Sequence, residues 1–318
     1  MTSISRVRIA IAAAAVALSL PALAVDSLKM MIPANPGGGW DTTGRELAKA
    51  LQSSGAVKNV QFDNKGGAAG AIGLAQFVNS SKGDPNAVIM GGMVMVGGLI
   101  TNKSAVKIDQ VTPIARLISE YEVIVVPATS PYKTLKDLLE AFKKDPGSIS
   151  WGGGSAGGTD HILAGLIAKA IGADPSKVNY VPFKGGGEAV SAIIGGHVTA
   201  GVSGLSEFAQ HIKSGKMRAL AVSSPKAIEG IPSLKEQGVD VELANWRGIW
   251  GAPGITPAQR SDLIAAVEKG VKSPAWKESL KKNDWEDFYL SGDAFGKYID
   301  EENKRIGDIL AALGLGKK

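Results

Sequence analysis

The stretch Asn35-Pro-Gly-Gly-Gly-Trp-Asp41 lies between the apolar run Met30 to Ile32 and the helical pattern Gly44 to Leu51. A strand, a glycine loop and a helix start, in that order, aim unpaired backbone N–H groups and the positive end of the helix dipole at a bound anion. A second stretch, Trp151-Gly-Gly-Gly-Ser-Ala-Gly-Gly-Thr-Asp-His161, repeats the arrangement later in the chain. We call these stretches the first and second glycine loops. Two such loops predict two lobes that hold one ligand between them.

The N-terminus has the pattern of a cleaved secretion signal. Arg6 and Arg8 precede the apolar run Ile9 to Leu20, and Pro21-Ala-Leu-Ala24 supplies a cleavage site of small residues. We therefore predict that residues 1–24 are a secretion signal that is removed on export. The remaining residues, 25–318, exceed the usual single-core size of about 100 to 200 residues, which favours two domains.

Composition excludes several classes of function. The formal charge of +5 includes the two arginines of the signal, and the other basic residues form no block. This distribution argues against nucleic acid and suits a small acidic molecule. The chain has no cysteine, and its three histidines lack the spacing of a helical metal pair, so we expect neither a metal site nor a cofactor.

The chain alternates short β-rich runs with helical patterns, which predicts an α/β fold with two sheets. Strands are predicted at 27–32, 57–64, 87–90, 123–126, 148–151, 179–182, 199–202 and 218–222. Helices are predicted at 42–53, 70–78, 135–144, 160–170, 188–195, 205–214, 257–272 and 294–313. The apolar run Ala87 to Ile100 is shorter than the roughly 20 residues of a membrane span and is interpreted as a buried strand and turn.

Two extended segments, Arg116 to Val126 and Trp246 to Pro253, are interpreted as crossings between the lobes. Lobe 1 is then residues 25–122 plus 246–318, and lobe 2 is residues 123–245. Each lobe is expected to be a mostly parallel sheet flanked by helices, and the two are joined by two crossover strands.

The glycine loops supply the candidate ligand-binding residues. Glycines allow close backbone approach, Trp40 offers a flat wall or an N–H donor, and Asp41 or Thr42 can cap the following helix. Two further loops, Asn64 to Gly70 and Val181 to Ala189, each add a lysine beside glycines. The full candidate set is Gly37, Gly38, Gly39, Trp40, Asp41, Thr42, Lys65, Gly66, Ser155, Gly157, Gly158, Thr159, Asp160, His161, Lys184, Gly185 and Gly186.

Other interpretations of these residues stay open. The first loop could be an ordinary strand-to-helix turn, with Trp40 packed inside its own lobe. The second loop also matches G-x-G-x-x-G, typical of dinucleotide enzymes, and G-x-S-x-G around Ser155, typical of serine hydrolases. A hydrolase would pair Ser155 with Asp160 or Asp174 and with His197 or His211. Both patterns arise readily by chance in a stretch so rich in glycine.

Six segments together resemble the substrate-binding proteins of tripartite tricarboxylate transporters, the TctC or Bug family. They are Pro33 to Leu51, Asn64 to Phe77, Gly154 to Leu163, Val181 to Gly196, Ser214 to Ser223 and Trp246 to Pro253. The resemblance implies a periplasmic, two-lobed "Venus flytrap" without enzymatic activity, which captures a carboxylate and delivers it to a membrane permease. We expect such a receptor to be a monomer.

The resemblance also assigns the loops. It places the family's first-lobe loop on Gly37 to Thr42, its second-lobe loop on Ser155 to His161, and its third on Lys184 to Gly187. Trp40, where many relatives have Ser or Thr, is similar to the citrate-type branch and favours a tricarboxylate. A carboxylate sensor would use the same pocket, so the sequence leaves transport and sensing open.

Overall fold

The computed structural model describes residues 25–183 and 186–315, without the side chains of residues 25, 186 and 187. The predicted signal, residues 1–24, lies outside this part of the chain. Within the described residues, ten strands form. They are β1 Val25–Ile32, β2 Val57–Asn64, β3 Ala87–Gly92, β4 Thr112–Pro127, β5 Ser150–Gly153, β6 Asn179–Pro182, β7 Ala200–Gly204, β8 Met217–Val222, β9 Ala244–Gly251 and β10 Glu286–Ser291.

The same residues form ten α-helices, which connect and flank the strands. They are α1 Gly39–Ser53, α2 Ala71–Ser80, α3 Met93–Thr101, α4 Leu135–Lys144, α5 Thr159–Ala170, α6 Gly186–Ile194, α7 Leu205–Lys213, α8 Pro257–Val271, α9 Pro274–Lys282 and α10 Gly292–Ala312. None of these helices combines the length and the apolar character that a membrane span requires. The predicted α/β class is confirmed.

The strands pair in the order β2-β1-β3-β9-β4-β7-β5-β6, with β8 and β10 also on β4. Parallel pairing joins β1 to β2 and β3, and β5 to β6 and β7, as the alternating pattern predicted. The pairings of β4 and β9 are antiparallel, so both halves of the sheet are mixed. The strands β9 and β4 lie between the two parallel groups and pair antiparallel with their neighbours.

The long strand β4 connects the two halves of the sheet. Its residues up to Tyr121 pair with β9 and β10, and its residues from Glu122 onward pair with β7 and β8. The start of β9, Ala244, lies opposite Tyr121, and the rest of β9 pairs within the first half. The return of the chain to the first half is therefore complete where β9 begins. The exact lobe boundaries remain a prediction.

Most buried apolar side chains belong to one large cluster, and a smaller cluster lies under α6 and α7 in the second half. The strand β3 is buried along its whole length, as expected for a strand covered on both faces. Its continuation differs from the prediction. Met93 to Thr101 form the helix α3 rather than a turn, and α9 and β10 were not predicted.

Candidate functional site

Five of the described helices have a glycine as their N-cap residue, so no side chain caps their first N–H groups. They are α1, α2, α3, α5 and α7, with Gly38, Gly70, Gly92, Gly158 and Gly204 as their N-caps. By contrast, Thr134, Thr256 and Ser273 cap α4, α8 and α9 with side-chain oxygens. The first N–H groups of a helix have no intrahelical partner, so the glycine starts leave donors for another acceptor.

The first glycine loop is held in shape by Asp41. Its carboxylate accepts hydrogen bonds from Gly37 N (2.9 Å), Arg45 Nε (2.8 Å) and Asn64 Nδ2 (3.0 Å). Burial opposes its ionisation, but the hydrogen bonds outweigh burial and lower the pKa of Asp41 below its ordinary value. Asp41 therefore supports the loop as an ionised internal anchor. Gly37 has a φ of +86°, a conformation that favours glycine.

Trp40 lies inside the first half of the molecule, where it is 8% exposed. Its ring packs so closely on Gly70 that a β-carbon there would lie 2.9 Å from the indole. This is the packing that the alternative interpretation of the loop describes. The residue on which the tricarboxylate expectation was based thus belongs to the core.

The second glycine loop is held in the same way by its own helix. Gly154 N donates to Asp160 Oδ2 (2.5 Å), and Gly157 N donates to His161 Nδ1 (3.2 Å). His161 stacks on Tyr180 with ring centroids 4.2 Å apart, and burial lowers the pKa of His161 to about 4. The imidazole is consequently neutral near pH 7, which leaves Nδ1 able to accept.

Helix α3 covers the second glycine loop from the other half of the molecule. A β-carbon on Gly97 would overlap the carbonyl oxygen of Gly157, and one on Gly158 would lie 3.2 Å from Val94. Gly157, Gly158 and Thr159 are buried as a result. The two halves meet at this contact, and glycines on both sides allow the close approach.

A cavity of about 480 Å³ opens between the starts of α1 and α7, and no residue of the second glycine loop or of α3 lines it. Three candidate residues line it, namely Gly37, Gly39 and Thr42. Its other lining residues are Val190, Ser206, Glu207, His211, Arg247, Asn283 and Trp285. The cavity thus has walls from both halves of the chain.

The other candidates lie elsewhere. Lys65 is exposed, and Gly66 packs against Asn35. Ser155 is half-buried at the turn of the second loop, where its carbonyl accepts from Gly158 N (2.9 Å). Lys184 and Gly185 lie outside the described residues, and Gly186 begins α6.

Sequence reasoning missed the most connected residue of the cavity, Arg247. Its guanidinium forms an ion pair with Glu120 and donates to Gly39 O (3.1 Å) and Thr43 Oγ1 (3.0 Å). Trp285 Nε1 also donates to Glu120 (3.2 Å). Arg247 lies in the segment predicted as a crossing, but the printed sequence gives no sign that β9 runs beneath the first glycine loop.

The geometry does not favour a serine hydrolase. In the described part of the chain, no hydrogen bond joins Ser155 to a histidine, and Asp160 and His161 are engaged by loop amides. His211 lines the cavity from α7. Among the described residues, no three acidic or histidine side chains are placed to hold a metal ion.

Comparison with known proteins identifies the family of this chain. The family model "Tripartite tricarboxylate transporter family receptor" matches residues 44–315. A "UPF0065 protein in gbd 5'region" of Cupriavidus necator is 29% identical over 326 residues, covering 98% of this chain and 97% of the relative.

Solved structures show the same fold. The periplasmic binding protein BugD superposes with a TM-score of 0.79 at 22% identity, covering 92% of this chain and 99% of BugD. The R. palustris protein Rpa4515 with adipate superposes with a TM-score of 0.82 at 20% identity, covering 92% and 98%. The fold is therefore that of periplasmic binding proteins, as predicted. With the family model matched over most of its length, the chain belongs to the TctC family of tripartite tricarboxylate transporter receptors.

Proposed function

We propose that this protein is a non-enzymatic periplasmic receptor that captures a small carboxylate between its two lobes. Delivery to the permease of a tripartite tricarboxylate transporter, and export through cleavage of residues 1–24, are parts of the same proposal. The observation that carries it is the cavity between two uncapped helix starts, one from each half of the sheet.

The walls of the cavity supply the chemistry that a carboxylate needs. The start of α1 offers a backbone donor at Gly39, a hydroxyl at Thr42 and the positive end of a helix dipole. Micromolar affinity corresponds to about −8 kcal/mol, which a few charge-assisted hydrogen bonds and lobe closure are able to supply.

The number of carboxylates in the ligand is a separate question. The family name and the sequence of the first loop favoured a tricarboxylate such as citrate, whereas the solved relative Rpa4515 holds adipate, a dicarboxylate. Trp40 is buried and does not line the cavity, so it does not select for a third carboxylate. We therefore propose that the ligand is a di- or tricarboxylate.

Titration calorimetry of the mature chain with citrate, malate, succinate and adipate tests the proposal. We expect at least one of them to bind with micromolar affinity and to raise the melting temperature. No heat and no thermal shift with any carboxylate would reject it. A gene deletion that abolishes growth on the acid that binds would support transport over sensing.

A further inference from the structure

The three histidines of the chain lie in three different environments. The ring of His161 is already engaged, because it stacks on Tyr180 and accepts a hydrogen bond from Gly157 N. His197 is exposed and does not line the cavity. His211, in the last turn of α7, is half-buried and lines the cavity. A ligand in the cavity therefore meets His211.

The imidazole of His211 is available to a ligand. The backbone carbonyl of His211 accepts hydrogen bonds from Lys216 N (3.0 Å) and Ser214 Oγ (3.3 Å). Its ring has no hydrogen bond, ion pair or stacking partner among the described residues. One ring nitrogen donates in the neutral imidazole, and both donate once the ring is protonated.

The charged side chains of the cavity wall leave no excess of positive charge for a carboxylate. Glu207, one turn before His211 on α7, lines the same cavity and has a neutral partner, the hydroxyl of Ser203. Arg247, which lines the cavity from β9, is already paired with Glu120 on β4. A dicarboxylate in the cavity thus adds two negative charges beside a carboxyl group that no cation neutralises.

The loop between α9 and β10 does not supply the missing positive charge. Asp284 precedes Trp285, which lines the cavity. Burial, followed by the charge of Glu229, raises the pKa of Asp284, and the charge of Lys213 on α7 opposes this rise. Lys213 and Asp284 therefore offset each other in part. Protonation of the imidazole is the remaining way for this wall to gain a positive charge.

Binding of an anion and binding of a proton favour each other at such a wall. Imidazole is the side-chain group that most often changes its charge between about pH 5 and 8. A protonated ring attracts a carboxylate through its charge and forms a charge-assisted hydrogen bond with it. Because linkage is reciprocal, an acid that prefers the protonated form also draws a proton onto the ring.

The position of His211 on its helix does not by itself explain its place in the wall. A histidine in the last turn interacts favourably with the negative end of the helix dipole, as Lys213 in the same turn also does. That interaction does not require the ring to line a cavity. A purely structural role for His211 therefore predicts no response of its protonation to the ligand.

We propose that His211 takes up a proton when a carboxylate enters the cavity, so that the receptor captures the acid together with a proton. This inference rests on the proposed function, because it concerns the same cavity. The ligand then meets backbone amides at the start of α1 and an imidazolium on α7. Affinity should rise as the pH falls, since the protonated ring binds the anion more tightly than the neutral ring.

Proton uptake is measured directly by calorimetry in two buffers with different enthalpies of protonation. The titrant is the tightest-binding acid among citrate, malate, succinate and adipate, and the protein is the mature chain at pH 7.5. The difference in heat between the buffers gives the number of protons taken up per ligand. We expect the unmodified protein to take up about 0.5 to 1 proton more than His211→Asn. This comparison cancels any proton that the acid itself binds.

Affinity should respond in the same way. Between pH 8.5 and 6.5, the unmodified protein should gain about ten-fold in affinity relative to His211→Asn. His211→Lys carries a fixed charge, so it should bind at pH 8.5 about as tightly as the unmodified protein does at pH 6.5. His197→Asn, at an exposed position outside the cavity, is the matched control and should behave like the unmodified protein.

Equal proton uptake by the unmodified protein and His211→Asn would overturn the inference, because the proton would then bind elsewhere. Asp160, whose pKa burial raises to about 7, is such a group. A loss of affinity in His211→Asn that is the same at every pH would also overturn it, since the ring would then act as a neutral partner. Both results leave the carboxylate receptor intact, whereas the failure of every acid to bind would reject the proposed function itself.

Discussion

Among single residues, Arg247 on β9 connects α1 and β4 through one guanidinium. It donates hydrogen bonds to Gly39 O and Thr43 Oγ1 at the start of α1, and it forms an ion pair with Glu120 on the connecting strand β4. Both members of the ion pair are almost fully buried, at 4% and 3% side-chain exposure. The shape of the first glycine loop thus depends on a residue more than two hundred positions away in sequence.

Arg247→Met should lower the free energy of unfolding by about 3–5 kcal/mol, because it leaves Glu120 as a buried charge without its partner. Urea denaturation measures the loss. Adding Glu120→Gln should recover part of it, and Lys136→Met, which breaks an exposed pair with Glu140, should cost less than about 1 kcal/mol. A loss as small as that of the control would show that the pair contributes little.

Asp160 gives the fold a pH dependence of predictable sign. Burial raises its pKa to about 7 in the folded chain, whereas an unfolded chain releases the proton near pH 4. Between these values the folded state binds more protons, so the contribution of Asp160 to stability falls as the pH rises from about 4 to 7.

Asp160→Asn should flatten this part of the stability curve, measured as melting temperature against pH between 4 and 8. Asp109→Asn, at an exposed site, should leave the curve unchanged. If the Asp160 variant kept the full slope, the proton would have to bind elsewhere.

Among the elements, the sequence predicted most accurately the bounds of strands and helices that are joined by a glycine loop. The bounds of β2, β6 and α4 match the prediction, and α1 begins at Gly39, three residues before its predicted start. The glycines and the change from β to helical periodicity carry that information locally. Helix α3 was missed because Met93 to Ile100 is apolar on every side, so that no period distinguishes a buried helix from a strand.

Neighbouring glycines of the first loop differ in what they tolerate. A β-carbon on Gly39 would overlap the guanidinium of Arg247, whereas one on Gly38 would meet its nearest atom, Asn35 O, at an ordinary 3.7 Å. Gly39→Ala should therefore displace Arg247, lower stability by about 1–3 kcal/mol and weaken carboxylate binding.

Gly38→Ala is the matched comparison and should stay within about 0.5 kcal/mol of the unmodified protein. Urea denaturation and calorimetry on both variants distinguish the two positions. Equal losses of stability and affinity in the two variants would show that the contact between Arg247 and Gly39 contributes no more than other loop contacts.

At the scale of the whole molecule, the cavity is assembled from segments that are far apart in sequence. Thr42 follows β1, Glu207 follows β7, and Asn283 and Trp285 lie between α9 and β10. Sequence patterns predicted the first of these walls because a glycine loop marks it. The walls formed by Glu207, Asn283 and Trp285 depend on how β4 and β9 join the two halves of the sheet. No local sequence pattern predicts that tertiary arrangement.

Trp285 should report the ligand, because its ring lines the cavity and Trp40 does not. We expect a saturating carboxylate to change the tryptophan fluorescence of the mature chain and Trp285→Phe to remove most of that change. Trp151→Phe, a buried substitution outside the cavity, should retain it. A change that survives in the Trp285 variant would place the ligand elsewhere.

Ligand capture by this protein depends on contact between a carboxylate and backbone amides in the cavity between the lobes. A crystal structure of the mature protein with the tightest-binding acid would locate that contact. We expect electron density for the acid in the cavity between α1 and α7, with a carboxylate within hydrogen-bond distance of the amides between Gly37 and Thr42. Density for the acid at another surface, with none in the cavity at saturating concentration, would show that the ligand does not bind between the lobes.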